Sequence, residues 1–239
     1  MILIEQTHVD GWEPAIRGMR NPKNSWHKSD SKCTLKCMEC SDAYRCDYFM
    51  EENGGCGRRY RTAPNGSDAY VGEKDHELMM TLAKGGPTHA KYRRMIIVTA
   101  DITAPLYWWK EYDTYKVGTV ANSCSTMHKI HDRDLELSDF STEHLNRYNL
   151  ELMGMIIRNL NQARQKYLET KNKNFWWQMI QLLPTSYNQK RTVQLSYEVL
   201  AGIYPNRKDH KLDEWHGFCD WIRSLPYSEL ITLEERGRT

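Results

Sequence analysis

Apolar positions change their spacing several times along this chain, and each change marks a predicted element. Ile2, Leu3 and Ile4, with Val9 beyond them, predict a first strand. Ala15 to Met19 fit one helical turn. A polar stretch follows, carrying Arg17, Arg20, Asn21, Asn24, Ser25, His27, Ser29 and Asp30, in which Pro22 bars a helix. It reads either as a solvated connection or as part of a ligand site. Residues 31–70 are rich in cysteine, charge and glycine and have no period, so they read as an inserted loop tied together locally. Order returns at Gly72. Asp75 is a candidate cap for a helix whose Leu78, Met79, Leu82 and Ala83 share one face and which Gly85-Gly86 ends.

The next stretch, Met95 to Lys129, opens on the apolar run Ile96-Ile97-Val98-Thr99, which predicts a buried strand. Thr103 as N-cap and Pro105 in the first turn predict a helix from Pro105 to Lys116, broken by Gly118. The segment from Asn122 to His128 is small, polar and rich in donors. A strand, an aromatic helix and a hydroxyl-rich loop make a candidate site for a phosphorylated ligand. The plainer alternative is that Trp108 and Trp109 are core or subunit-interface residues and that Ser123 and Ser125 belong to turns.

In the second half, Ser138 to Ser141 are candidate caps for a long helix reaching residue 170, with Leu145, Leu152, Ile156, Leu160, Ala163 and Tyr167 as its apolar stripe. Its length suggests packing against another subunit. Asn172 to Asn174 break it. A helix from Phe175 to Leu183 then ends at Pro184, and another over Thr192 to Tyr204 is stopped by Pro205. Asn206 to His210 form a basic turn. Leu212, Trp215, Phe218, Cys219 and Ile222 place a last helix before Pro226.

Composition narrows the class. The 239 residues are 40% hydrophobic and 27% charged, ordinary for a globular domain, and the net charge of +2 is too small to argue for nucleic acid. No apolar run reaches the length of a membrane span, and the first residues lack a basic n-region, so neither membrane nor export is expected. Seven cysteines, an odd count without an export signal, point to a reducing cytoplasmic compartment. Cys33, Cys37, Cys40 and Cys46 have chelating spacing and can close a tetrahedral zinc site that holds a coreless loop, with Cys56 as a spare ligand. The CxxxCxxC portion also resembles the cluster motif of radical SAM enzymes, but the chain is too short for their usual barrel; free surface thiols are the remaining alternative. His128 with His131, and Asp132 with Asp134, read as a solvated turn rather than metal ligands.

One order of residues carries a resemblance. Gly86-Pro87-Thr88-His89 precedes the strand Met95 to Ala100; then come APLYWWKEYDTYK, ending at Lys116, and the loop NSCST at Asn122 to Thr126. Further on, Leu183-Pro184 ends one helix, and the next leads into Arg207, with His210 and Glu214 beyond it. This order, over residues 72–226, is similar to that of the flavin-dependent thymidylate synthases, the ThyX family. The family's Arg-His-Arg triplet falls on Thr114-Tyr115-Lys116, and its serine falls on Cys124, between Ser123 and Ser125. Asn122 matches an asparagine often found in that loop.

The resemblance implies an α/β (α+β) fold, a small mixed sheet with long helices, as one domain over 1–239 carrying the 31–70 insertion and assembled as a homotetramer. It implies a flavin-dependent methyltransferase performing thymidylate synthase-type reductive one-carbon transfer to a deoxyuridine monophosphate. FAD, NADPH and methylene-tetrahydrofolate would take part. Lys116, Asn122, Ser123, Ser125 and Arg207 are then the substrate-binding candidates, and His89, Tyr115, Arg207 and His210 the flavin-binding ones. No residue is assigned a catalytic role. The alternatives are a diverged homologue modifying another nucleotide and a non-catalytic nucleotide-binding or assembly protein on the same scaffold.

Overall fold

The computed structural model describes residues 1–33 and 69–234. Its centre is the strand β4 (Ile97–Pro105), in which Val98, Ala100, Ile102 and Ala104 are buried while Thr99, Asp101 and Thr103 turn to the other face. This period of two is what a half-buried strand requires. On one side β4 pairs with β1 (Leu3–Asp10). On the other it pairs with β6 (Asn188–Ser196), whose outer neighbour is β5 (Thr119–Ser123). The order is β1-β4-β6-β5. The expected α/β class with a small sheet is present, and its strand pairing is antiparallel rather than mixed.

Helices cover the apolar face. α1 (Trp12–Arg20) starts at Gly11, whose φ of 91° is left-handed; a Cβ there would lie 1.9 Å from the Met95 carbonyl oxygen, so only glycine fits. α3 (Leu106–Tyr112) buries Trp108, Trp109 and Tyr112, which are core residues, in aromatic contact with Trp215 and Phe218. α3 starts later than predicted because Thr103 and Pro105 belong to β4. The helix's first N–H groups, on Leu106 and Tyr107, donate to the carbonyls of Tyr187 and Thr185, both at 3.0 Å, so no Thr103 cap is needed. It ends at Tyr112 and tightens into a 3₁₀ turn over Asp113–Tyr115.

The predicted helix over Thr192 to Tyr204 divides in two. Thr192 to Ser196 complete β6, and α7 (Tyr197–Arg207) starts at Ser196, whose Oγ accepts from the Val199 N–H. Pro205 lies inside the last turn instead of stopping the helix. α8 (Asp213–Ser224) buries Trp215, Phe218, Cys219 and Ile222 as predicted, and burial pushes the Cys219 thiol up to about 11.

α2 (Glu73–Lys84) has Gly72, not Asp75, at its N-cap. The cap comes from afar: the Asp30 carboxylate accepts from the backbone N–H groups of Lys74 at 3.0 Å and Asp75 at 3.2 Å. Burial alone would raise the Asp30 pKa, but these N–H donors hold it below its ordinary value. Asp75 is fully buried and receives Arg20 Nε at 2.6 Å and the hydroxyls of Ser29 and Ser31 at 2.5 Å each. The polar stretch after α1 is therefore part of a buried ionic network, with Arg20, Ser29 and Asp30 committed to structure.

α5 (Arg147–Thr170) is capped by Asn146, whose Oδ1 accepts the Asn149 N–H at 3.0 Å, rather than by Ser138 to Ser141. Its buried stripe is Met153, Ile157, Leu160 and Ala163, with Ile156 and Tyr167 alongside; Leu152 is exposed. It packs on α6 (Lys173–Leu182), which Asn172 caps. α4 (Thr126–Lys129) is a single turn and α9 (Glu229–Thr232) closes the described chain.

β2 (Lys32–Cys33) pairs with β3 (Ala69–Tyr70), so the backbone of Cys33 lies beside Ala69. The other expected zinc ligands, Cys37, Cys40 and Cys46, and the spare Cys56, lie outside the described residues. Among the described residues no cluster of His, Cys, Asp or Glu could hold a metal ion, and no helix is long and apolar enough to cross a membrane.

Candidate functional site

The candidate site forms where α3 runs out. Its last turn carries Glu111, the 3₁₀ turn that follows carries Asp113 and Tyr115 and ends at Lys116, and two arginines from later in the chain close on these residues. Arg207, at the C-terminal end of α7, is 12% exposed. Its guanidinium carbon lies 4.6 Å from the Trp215 ring centre and 5.3 Å from that of Tyr115. Nε donates to the Tyr115 hydroxyl at 2.8 Å and Nη1 to Glu111 Oε2 at 3.2 Å. An arginine stacked on aromatic faces keeps its edge free for planar hydrogen bonding, and here a half-exposed carboxylate takes part of that edge.

His210 joins the same group, its ring 6.2 Å from Trp215 and its Nδ1 accepting the Leu212 N–H at 3.2 Å. Three of the four flavin-binding candidates, Tyr115, Arg207 and His210, thus surround one indole. Lys116 follows directly and is exposed. His89 does not join them: it is exposed after the end of α2, its ring against Gly85. Glu214, part of the sequence likeness, is buried rather than presented to solvent. Its carboxylate accepts the Tyr107 hydroxyl, and burial together with that carboxylate pushes the phenol pKa up.

The hydroxyl-rich loop is less of a loop than predicted. Asn122 and Ser123 are the last residues of β5, and Ser125 caps α4, its Oγ accepting the His128 N–H at 3.2 Å. Strand alternation then separates the candidates. Ser123 stands opposite Arg191 in β6, on the face shared with Val193 and Leu195, whereas Asn122 stands opposite Thr192 on the open face. One ligand cannot reach both side chains from the same side of the strand.

Arg191 is the functional candidate that sequence reading missed. Its guanidinium lies 4.2 Å from the Trp109 ring centre, and Nη1 donates to Asp113 at 2.9 Å. Nε donates to Gln189 Oε1 at 3.0 Å, and the amide of Gln189 donates in turn to the Cys124 carbonyl at 3.0 Å and the Thr126 hydroxyl at 3.2 Å. Residues 123–126 and the end of α3 are therefore joined through Gln189 and Arg191. The available signal was the basic pair Lys190-Arg191, but assigning Thr192 onward to a helix hid the strand that aims Arg191 inward. Chemically, the region offers guanidinium edges, the partly exposed Tyr115 ring and a cross-strand hydroxyl, while Trp109 and Trp215 are fully buried beneath the two arginines.

No protein-family model matches the sequence, and no curated protein matches it either. Solved structures do. The chain is similar to flavin-dependent thymidylate synthase ThyX from Helicobacter pylori, solved with FAD and dUMP, at 16% identity and a TM-score of 0.58, covering 96% of this chain and 97% of that one. A second structure of ThyX from Helicobacter pylori with FAD and dUMP gives 15% identity and a TM-score of 0.59 over 97% and 98% of the two chains. The UMP/dUMP methylase PolB from Streptomyces cacaoi, bound to 5-Br dUMP, gives 11% identity and a TM-score of 0.54 over 98% and 95%. The fold of this chain is the ThyX fold.

Proposed function

We propose that this chain is a ThyX-like flavin-dependent transferase that carries a one-carbon unit to a deoxyuridine monophosphate. The observation that supports it best is the full-length likeness of fold to a thymidylate synthase solved with FAD and dUMP and to a UMP/dUMP methylase. The nucleotide phosphate would be held by Arg207 and Lys116, with Ser123 or Ser125 donating hydroxyl hydrogen bonds; Asn122, on the opposite face of β5, would take no part when Ser123 does. A dianion needs charge-assisted donors, each contributing about 1.5–3 kcal/mol.

The residues around Trp215 fit FAD in kind: the partly exposed Tyr115 phenol offers a stacking surface and Arg207 a cation, while the Trp215 indole is fully buried beneath that guanidinium and serves only to hold it. When bound, the flavin would supply the redox chemistry of a reductive transfer, with NADPH and methylene-tetrahydrofolate as co-substrates. Tyr115, Arg207 and His210 would orient it, and His89 would reach the same site only from another subunit of a homotetramer. Glu111 restrains Arg207 until an anion competes for the guanidinium. Separately, Cys33, Cys37, Cys40 and Cys46 would hold one structural zinc ion, a proposal that rests on their spacing.

The test is calorimetry with dUMP, alone and with FAD, alongside an absorbance spectrum of the purified protein. Binding of both and a yellow protein support the enzyme. Thr114-Tyr115-Lys116 in place of the family's triplet favours a second reading, a nucleotide-binding protein without flavin chemistry. That reading gains if dUMP binds and FAD does not. If neither binds, the fold records ancestry alone.

A further inference from the structure

We infer that Arg191 is a second anion-binding cation of this site and that Asp113 occupies it until a phosphate competes. The inference rests on the phosphorylated-ligand reading above and adds a residue and a mode of control to it.

The geometry is that of a held cation. One planar face of the guanidinium is fixed against Trp109 at 4.2 Å, and the indole is itself anchored, its Nε1 donating to the Gln189 carbonyl at 2.8 Å. Nε is fixed on Gln189 Oε1 and Nη1 on Asp113. Among the described residues no hydrogen-bond partner reaches Nη2. The Arg191 side chain is 16% exposed, so it is mostly removed from water but still reachable at its edge.

Its ionic partner is of a different kind. The Asp113 side chain is 43% exposed and stands in the 3₁₀ turn after α3. A carboxylate with that much solvent gains little from one ion pair and gives it up readily. A phosphate dianion offers more charge and more acceptor oxygens than a carboxylate, and a planar guanidinium edge suits it. The Ser123 hydroxyl, on the cross-strand neighbour of Arg191, stands on the same face to donate to the same anion. The arrangement repeats one step away: Arg207 stacks on Trp215 and is held by the half-exposed Glu111. Both arginines are thus tryptophan-stacked forks held by an acidic residue near the end of α3. Trp109, Gln189 and Asp113 are the positioning residues of the new one.

The experiment compares the wild type, Arg191→Gln and Asp113→Asn by calorimetry against dUMP and against inorganic phosphate. Circular dichroism melting verifies that each variant is folded. The inference expects Arg191→Gln to weaken dUMP binding about tenfold, and Asp113→Asn to strengthen it several-fold because the competing charge is gone while the arginine remains. Tighter binding by Asp113→Asn is a gain that damage to the fold cannot mimic, so it stands even if Arg191→Gln is poorly folded. If dUMP binds equally to all three proteins, Arg191 is structural and the inference falls, while the nucleotide reading survives. Should dUMP not bind while inorganic phosphate binds in an Arg191-dependent way, the nucleotide reading falls and the anion site stands. Failure of every protein to bind either probe overturns both.

Discussion

Arg207 and Tyr115 are hydrogen-bonded directly, guanidinium Nε to phenol oxygen at 2.8 Å, although 92 positions separate them in the chain. The bond ties the end of α7 to the turn after α3, and Trp215 from α8 lies beneath the guanidinium. Replacing Arg207 by alanine removes a phosphate donor and the cation above the indole together. Loss of about 1.4 kcal/mol corresponds to a tenfold change. Arg207→Ala should therefore weaken dUMP binding about tenfold or more in a calorimetric titration, with Glu111→Gln acting in the opposite direction.

The buried Arg20–Asp75 pair predicts a stability effect with no part in ligand binding. Asp75 is fully buried and Arg20 is 5% exposed. Asp75→Ala leaves a guanidinium and two serine hydroxyls without their shared acceptor. Breaking a buried pair in this way costs about 3–5 kcal/mol. Thermal melting should show a large drop in Tm. Arg20→Ala should do comparable damage from the other side.

Acid should unfold the protein through a small set of carboxylates. Asp30, Asp101 and Asp139 all have pKa values held below the ordinary range. For Asp30 the opposing effects are burial, which raises it, and backbone N–H donors, which lower it more. For Asp101 they are led by the Thr192 hydroxyl and Lys190. For Asp139, burial raises it while Arg133 and the Glu136 N–H lower it more. A depressed folded-state pKa means that the stabilisation is complete above the unfolded value, roughly 3.9 for aspartate. It is lost as pH falls through the lower, folded values. Chemical denaturation should give stability independent of these groups above pH ~5 and a decline below pH ~4.

α5 carries a second apolar stripe away from the core: Tyr148 is 79% exposed, Leu152 49% and Met155 47%. In the proposed tetramer this stripe is the surface to cover, because exposed large apolar groups at one helix face mark contact sites. Sedimentation should give a tetramer, and Leu152→Glu should shift it towards smaller species. A wild-type protein that sediments as a monomer at micromolar concentration removes His89 from the proposed site.

Elemental analysis addresses the cysteine segment independently of all ligand binding. About one zinc per chain is expected for a closed four-thiolate site, and a chelator should release it. Metal-free protein with freely titratable thiols rules the site out.

Much of this architecture is written in local spacing. The apolar run through Val98 and the aromatic run of α3 could be read directly. So could the helical spacing of Trp215, Phe218, Cys219 and Ile222, because burial on one face imposes a period on the residues themselves. The order of Tyr115, Lys116, Arg207 and His210 also pointed to one site. What the spacing did not contain was β5 and β6. β5 is nearly all exposed, and β6 carries only Val193 and Leu195 as buried apolar residues, so neither has a hydrophobic signature. Their strand geometry comes from backbone hydrogen bonds to a partner far along the chain, and that pairing decides which way Ser123, Asn122 and Arg191 face. The same holds for charge. Asp75 looked like a local cap until tertiary packing gave it Arg20, and nothing local to Arg191 tells that a strand lays it over Trp109 beside Asp113. Sequence determined which segments bury a face; the long-range pairing of backbone and charge, which leaves no periodic trace, decided which side chains meet.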